Sequence, residues 1–141
     1  MKQQFHLLGR AVIRLENKVL LAQAKGAKHT FLPGGHVEIG ESVPVAIARE
    51  LMEELGCVAT VGRYLGAVEA SLDIHFEINH LFEVSLLDTN VNSREVHLEF
   101  FWVDVLDLTT WNLQPEALRE LLQYPRETAF WHGLPIQIKD K

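Results

Sequence analysis

The chain has 141 residues, 48% hydrophobic and 23% charged, and its 19 acidic and 13 basic residues give a net charge of −6. That length suits one substantial core, so a single domain over residues 1–141 is expected, with no linker, repeat or low-complexity stretch to divide it. The scattered bases disfavour a long nucleic-acid partner, the absence of a long apolar run disfavours the membrane, and Cys57, the sole cysteine, excludes an intrachain disulfide and a cysteine-rich metal centre.

Residues 1–6 lack the apolar run of a secretion signal, which points to a soluble cytoplasmic protein. Residues 8–15 and 18–24 are rich in Val, Ile and Leu and read as two strands joined at Glu16 and Asn17. Pro33, Gly34 and Gly35 then form a turn where backbone can approach a ligand closely, so that a carbonyl near Gly34 could serve as a ligand.

A helix is expected over about residues 43–55. Ser42 can cap its first turn, Pro44 is tolerated where early N–H groups lack partners, and Gly56 can take the left-handed stop. Ile47, Ala48, Leu51 and Leu55 give it an apolar face. Glu50, Glu53 and Glu54 stand in an i, i+3, i+4 relation on another face, within reach of a common point. Like charges at that spacing cost about 0.2–0.5 kcal/mol per pair, and Arg49 offsets only part of this. Either the patch is a solvated acidic face or it holds a hard cation, and Mg²⁺ fits oxygen ligands better than zinc does.

Further on, residues 61–71 and 74–86 read as strands. In the second, Phe76, Ile78, His80, Phe82 and Val84 alternate with Glu77, Asn79, Leu81 and Glu83, as in a half-buried strand. Residues 98–105 form another candidate strand, and Glu95, His97 and Glu99 would share one face of an extended chain. A second helix is expected over about residues 115–123, with Ala117, Leu118, Leu121 and Leu122 on its apolar face. Residues 124–141, with Trp131, Pro135 and Ile138, could close a site, cover the core or contact a second subunit in a homodimer.

Within residues 35–57, Gly35, Glu41, Arg49, Glu50, Leu51, Glu53, Glu54 and Gly56 match the Nudix box, with Cys57 at the final apolar place. The chain thus resembles the Nudix hydrolase superfamily, in its small MutT-like form. The resemblance implies an α/β fold, the Nudix-type α/β/α sandwich with a central mixed β-sheet. It also implies hydrolysis of a nucleoside diphosphate linked to another moiety by water that attacks phosphorus. Mg²⁺, or Mn²⁺ in its place, would be held by Gly34, Glu50, Glu53 and Glu54. Glu53 or Glu50 would orient or deprotonate the water, with Glu95 and Glu99 from a later segment on the same shortlist. Arg49 and Glu41 would position carboxylates and loop without touching the reacting atoms.

Subfamily markers are mostly negative. No proline lies between Pro44 and Pro115, where the ADP-ribose type tends to have one, and Tyr64 is too near the box for the dinucleoside polyphosphate type. A nucleoside triphosphate or a nucleotide sugar remains, and the base-stacking aromatic among Phe31, Phe76, Trp102, Trp111 and Trp131 is open. Two other classes use the same fold: a nucleotide-sensing or protein-binding module without turnover, and an isomerase, for which Cys57 is poorly located.

Overall fold

The computed structural model describes residues 2–134, so Pro135 and Ile138 lie outside the described residues. Its elements in chain order are β1 (Gln4–Val12), β2 (Arg14–Leu15), β3 (Lys18–Ala24), β4 (Gly34–His36), α1 (Val43–Leu55), β5 (Ala59–Leu72), β6 (His75–Leu86), β7 (Leu98–Asp104), α2 (Ala117–Gln123) and β8 (Phe130–His132). A 3₁₀ turn, Val105–Asp107, follows β7.

The strands form a mixed five-stranded sheet in the order β4-β1-β6-β5-β8 and a three-stranded sheet in the order β2-β3-β7. In the larger sheet β1 runs parallel to β6 and β5 parallel to β8, while the other pairs are antiparallel. The helices cover opposite faces of this framework. Ile47, Leu51 and Leu55 of α1 pack with Ala11, Ile13, Leu20 and Val84. Leu118, Leu121 and Leu122 of α2 pack with Val12, Val19, Leu21, Val68, Leu81 and Val103. Successive residues of β1 and β3 therefore feed alternate cores, which is why Val19 to Ala22 are all buried with no polar residue between them.

The first helix has the expected bounds because local chemistry sets them. Ser42 accepts a hydrogen bond from the Val45 N–H at 3.3 Å, and Gly56 takes φ 64° while its N–H bonds the Met52 carbonyl. Ala46, rather than Ala48, completes the fully buried stripe.

Three expectations are corrected. Residues 8–15 form not one strand but two, since the chain passes from the larger sheet to the smaller at Ile13. β1 also starts earlier, at Gln4, because parallel pairing with His75 and its successors extends it. On β6 the row containing Asn79 and Leu81 is not the solvent face: these two are 2% and 1% exposed, because α2 and its neighbours cover that side. No helix among the described residues is long and apolar enough to cross a membrane.

Candidate active site

Helix α1 presents its three carboxylates at three depths. Glu54 is buried, Glu50 is half-buried, and Glu53 is 54% exposed at the side chain. The acidic stripe thus enters the protein instead of lying along its surface.

Arg49 ties the outer part together. Its Nε and Nη2 donate to the two oxygens of Glu41 at 2.8 and 3.0 Å, and its Nη1 reaches Glu50 at 3.2 Å and Glu53 at 3.4 Å. Nη2 also donates to the His36 carbonyl at 3.1 Å. Glu41 in turn accepts the Glu38 N–H at 2.9 Å, so one fork locks the loop to the helix. The Arg49 hydrogen bonds, with that N–H, hold the Glu41 carboxyl down at about 2, and Glu41 keeps Arg49 firmly charged.

The inner part is left short of partners. Glu54 Oε1 is buried without a hydrogen bond among the described residues. Burial first, then the charge of Glu50, pushes the Glu54 carboxyl up to about 8, against the pull of Arg10 and the Gly34 backbone.

Glycine makes this arrangement sterically possible. Gly34 has φ 130° and its missing Cβ would run into the Gly9 carbonyl oxygen. A Cβ on Gly35 would stand 2.7 Å from the Glu50 carboxyl carbon, so the backbone corner lies directly against that acid.

No three acidic or histidine side chains converge on one point among the described residues. Arg49 instead spans Glu41, Glu50 and Glu53, while Glu54 waits behind with an unpaired oxygen. The donor set still fits a hard divalent cation: it is all oxygen, two neighbouring carboxyls oppose each other, and a cation would satisfy the orphaned Glu54 oxygen. Mg²⁺ commonly keeps several waters, so a cage complete in protein ligands is not needed.

Glu95 and Glu99 lie elsewhere, in a recess of about 550 Å³ shared with Lys25 and Arg94. Its loop reaches the end of α1, where the Arg94 N–H bonds the Glu54 carbonyl at 2.7 Å. Glu95, His97 and Glu99 do not share one extended face. The chain turns at Ser93, whose hydroxyl bonds Glu95, and the Leu98 N–H bonds the Glu95 carbonyl, so only Glu99 is in β7.

Sequence reasoning missed the larger cavity, about 620 Å³, over the α2 side of β1 and β6. Arg10, Phe31, Glu77, Asn79 and Gln114 are among its walls. The Arg10 guanidinium carbon stands 5.5 Å from the Phe31 ring centre, and its Nη1 and Nε donate to the Leu32 carbonyl and Asn79 Oδ1 at 3.1 and 3.3 Å. Burial lowers the pKa of Arg10, while Glu77, Glu54 and Glu50 oppose this, so its charge links cavity and acidic helix. The one local signal was a lone arginine within the apolar run Leu7-Leu8-Gly9-Arg10-Ala11-Val12.

Of the aromatics, Phe31 alone faces this cavity. Phe76 stacks on Phe5, Trp111 meets Phe101 at a tilt of 46°, Trp102 donates to the Thr89 carbonyl, and Trp131 donates to Glu69. His80 bonds Tyr64 at 2.8 Å, and His75 bonds His6, which bonds His36.

A family model described as NUDIX domain matches residues 6–124. The CTP pyrophosphohydrolase of Escherichia coli (strain K12) is 32% identical over 119 residues, covering 82% of this chain and 78% of that protein. The ADP-ribose pyrophosphatase of Methanocaldococcus jannaschii is 45% identical over 58 residues, 39% of this chain and 34% of that protein, so the match spans about a third of its length. Among solved structures, the MutT protein from Methanosarcina mazei Go1 aligns with a TM-score of 0.74 at 26% identity, over 87% of this chain and 94% of that one.

Proposed function

The chain belongs to the Nudix family, and from that membership we infer that it is a Mg²⁺-dependent pyrophosphohydrolase acting on a nucleoside triphosphate. The observation that carries this reading is the buried Glu54 carboxyl, unpaired at one oxygen beside Glu50 and the Gly34–Gly35 corner. A fold that had no use for a cation would gain by replacing that acid with an apolar residue.

Gly34, Glu50, Glu53 and Glu54 would hold the cation. When bound, it supplies positive charge for phosphate oxygens and lowers the pKa of an attacking water. Glu53, the most exposed of the three acids, and Glu50 are the residues to accept the proton of that water as its oxygen bonds to phosphorus. The phosphoanhydride P–O bond breaks, and the leaving pyrophosphate takes the electron pair. Arg49 fixes both carboxylates during this exchange, and Glu41 fixes Arg49. Glu99 stays a candidate for proton transfer from the neighbouring recess.

Arg10, on the cavity wall and within 5.5 Å of the Phe31 ring centre, would meet the phosphate nearest the nucleoside, with the base beyond it against Phe31. A triphosphate is favoured over a nucleotide sugar because the relative matched over most of its length is a CTP pyrophosphohydrolase, whereas the ADP-ribose pyrophosphatase matches over 58 residues.

A panel of nucleoside triphosphates and nucleotide sugars, with products identified by ³¹P NMR, tests the reading. Mg²⁺-dependent release of a nucleoside monophosphate and pyrophosphate is expected, with a loss of about a hundredfold or more in Glu53→Gln. Nucleotide binding without turnover would instead favour a sensing module, and full activity in the variant would remove Glu53 from the chemistry.

A further inference from the structure

The polar side chains around the 620 Å³ cavity have unequal capacity left for a ligand. Asn79 has little: its Oδ1 accepts from Arg10 Nε, which fixes the amide orientation because guanidinium only donates, and its Nδ2 donates to the Val68 carbonyl. Gln114 is oriented by a longer chain of the same logic. Arg119 Nη2 donates to Asn112 Oδ1 at 3.0 Å, so that atom is oxygen, and Gln114 Nε2 donates to it as well at 3.0 Å. Gln114 Oε1 is thereby left as an acceptor.

Glu77 is half-buried on the cavity wall and makes no side-chain hydrogen bond or ion pair among the described residues. Arg10 lines the same cavity and makes no hydrogen bond or ion pair with Glu77 among the described residues, so the two groups border a shared space without closing on each other. The fixed chemistry of the cavity is therefore one cationic donor, Arg10, and two acceptors, Glu77 and Gln114. Ser71, His29 and His75 also reach it, but a hydroxyl or an imidazole donates or accepts as the ligand requires.

We propose that this cavity selects nucleotides whose base carries an exocyclic amino group over their keto counterparts, and that Glu77 is the residue that discriminates. The inference rests on the reading of the site as a nucleotide hydrolase. An amino group donates to the Glu77 carboxylate, whereas a keto oxygen in the same position would face its lone pairs and leave the half-buried acid without a partner. Gln114 Oε1 adds a second acceptor with the same preference.

The test uses the full chain in two assays. Calorimetry without added metal measures binding of CMP against UMP and of AMP against IMP, and steady-state kinetics with Mg²⁺ compares CTP with UTP. The amino member of each pair is expected to bind about tenfold tighter or more. Glu77→Gln, whose amide can turn N–H toward a keto oxygen, should bring the ratio near one or reverse it. Gln114→Leu should narrow it, and serves as the measurement if the first variant fails to fold.

Equal binding of CMP and UMP, an unchanged ratio in Glu77→Gln, or no binding of any of the four would overturn the proposal. Selective binding with no hydrolysis of any triphosphate would support it while removing the hydrolase reading. Hydrolysis with unselective binding would do the opposite.

Discussion

Replacing Glu54 with glutamine should stabilise the metal-free protein above neutral pH and abolish most of the gain from Mg²⁺. The Glu54 carboxyl is 7% exposed, with an ordinary value of 4.5 raised to about 8 by burial and by Glu50. A folded-state pKa above the unfolded one means that the native protein retains a proton the unfolded chain releases. The stability so gained is complete below 4.5 and is lost as pH rises through about 8. Each pH unit over that interval is worth about 1.4 kcal/mol, which sets a ceiling of about 3 kcal/mol lost by pH 7. Glutamine carries no such dependence but places an N–H2 where Oε1 had no partner, a cost of about 1–3 kcal/mol. Urea unfolding of both proteins in EDTA at pH 5.5, 7 and 8.5 should show the variant weaker at the lowest pH and equal or stronger at the highest. Added Mg²⁺ should raise the wild-type curve by the mass-action term and leave the variant almost unmoved. Parallel pH profiles, or an equal Mg²⁺ effect on both, would refute the reasoning, because every other titrating group is common to the two chains.

Arg49→Lys should lower kcat by about 10- to 100-fold with a small change in melting temperature, since an ammonium cannot reproduce the fork that spans Glu41, Glu50 and Glu53; unchanged kcat would count against its positioning role. Gly34→Ala should cost about 2 kcal/mol or more in denaturant unfolding, because its Cβ meets the Gly9 carbonyl and its φ is 130°. Leu51→Ala, at a fully buried position under α1, should cost about 2–5 kcal/mol by the same measurement, and a loss below 1 kcal/mol would mean that the helix is not anchored there.

What the sequence disclosed about this fold is what nearby residues decide. Ser42, Pro44 and Gly56 fix both ends of α1, and the chain turns at Glu16 with φ 57° between β2 and β3, where the two apolar runs were expected to join. The short strands β4 and β8 escaped notice because each has three residues and exists through distant partners, Leu8 to Arg10 for one and Gly66 to Val68 for the other. The candidate site divides in the same way. Helical spacing alone put Glu50, Glu53 and Glu54 on one side of α1, but not on one point: their unequal burial depends on the Gly34–Gly35 corner and on Arg10, set by cross-strand pairing. Glu77 and Asn79 looked like a solvent row until α2 and the loops around Phe31 and Gln114 covered them.

β1 carries a demand that its neighbours do not. Gly9 lies beneath α1, where even a methyl group would crowd Ile47 and Val43, and the next residue, Arg10, points through the other side of the sheet toward the cavity. Slippage by a single position would exchange these environments and drive a guanidinium under the helix. Under the proposed function, the ladder between β1 and β6 would keep Arg10 in step with α1, while accessible rim positions such as His29 and Gln114 could change with the base and leave the buried Thr30, Leu32 and Leu113 in place.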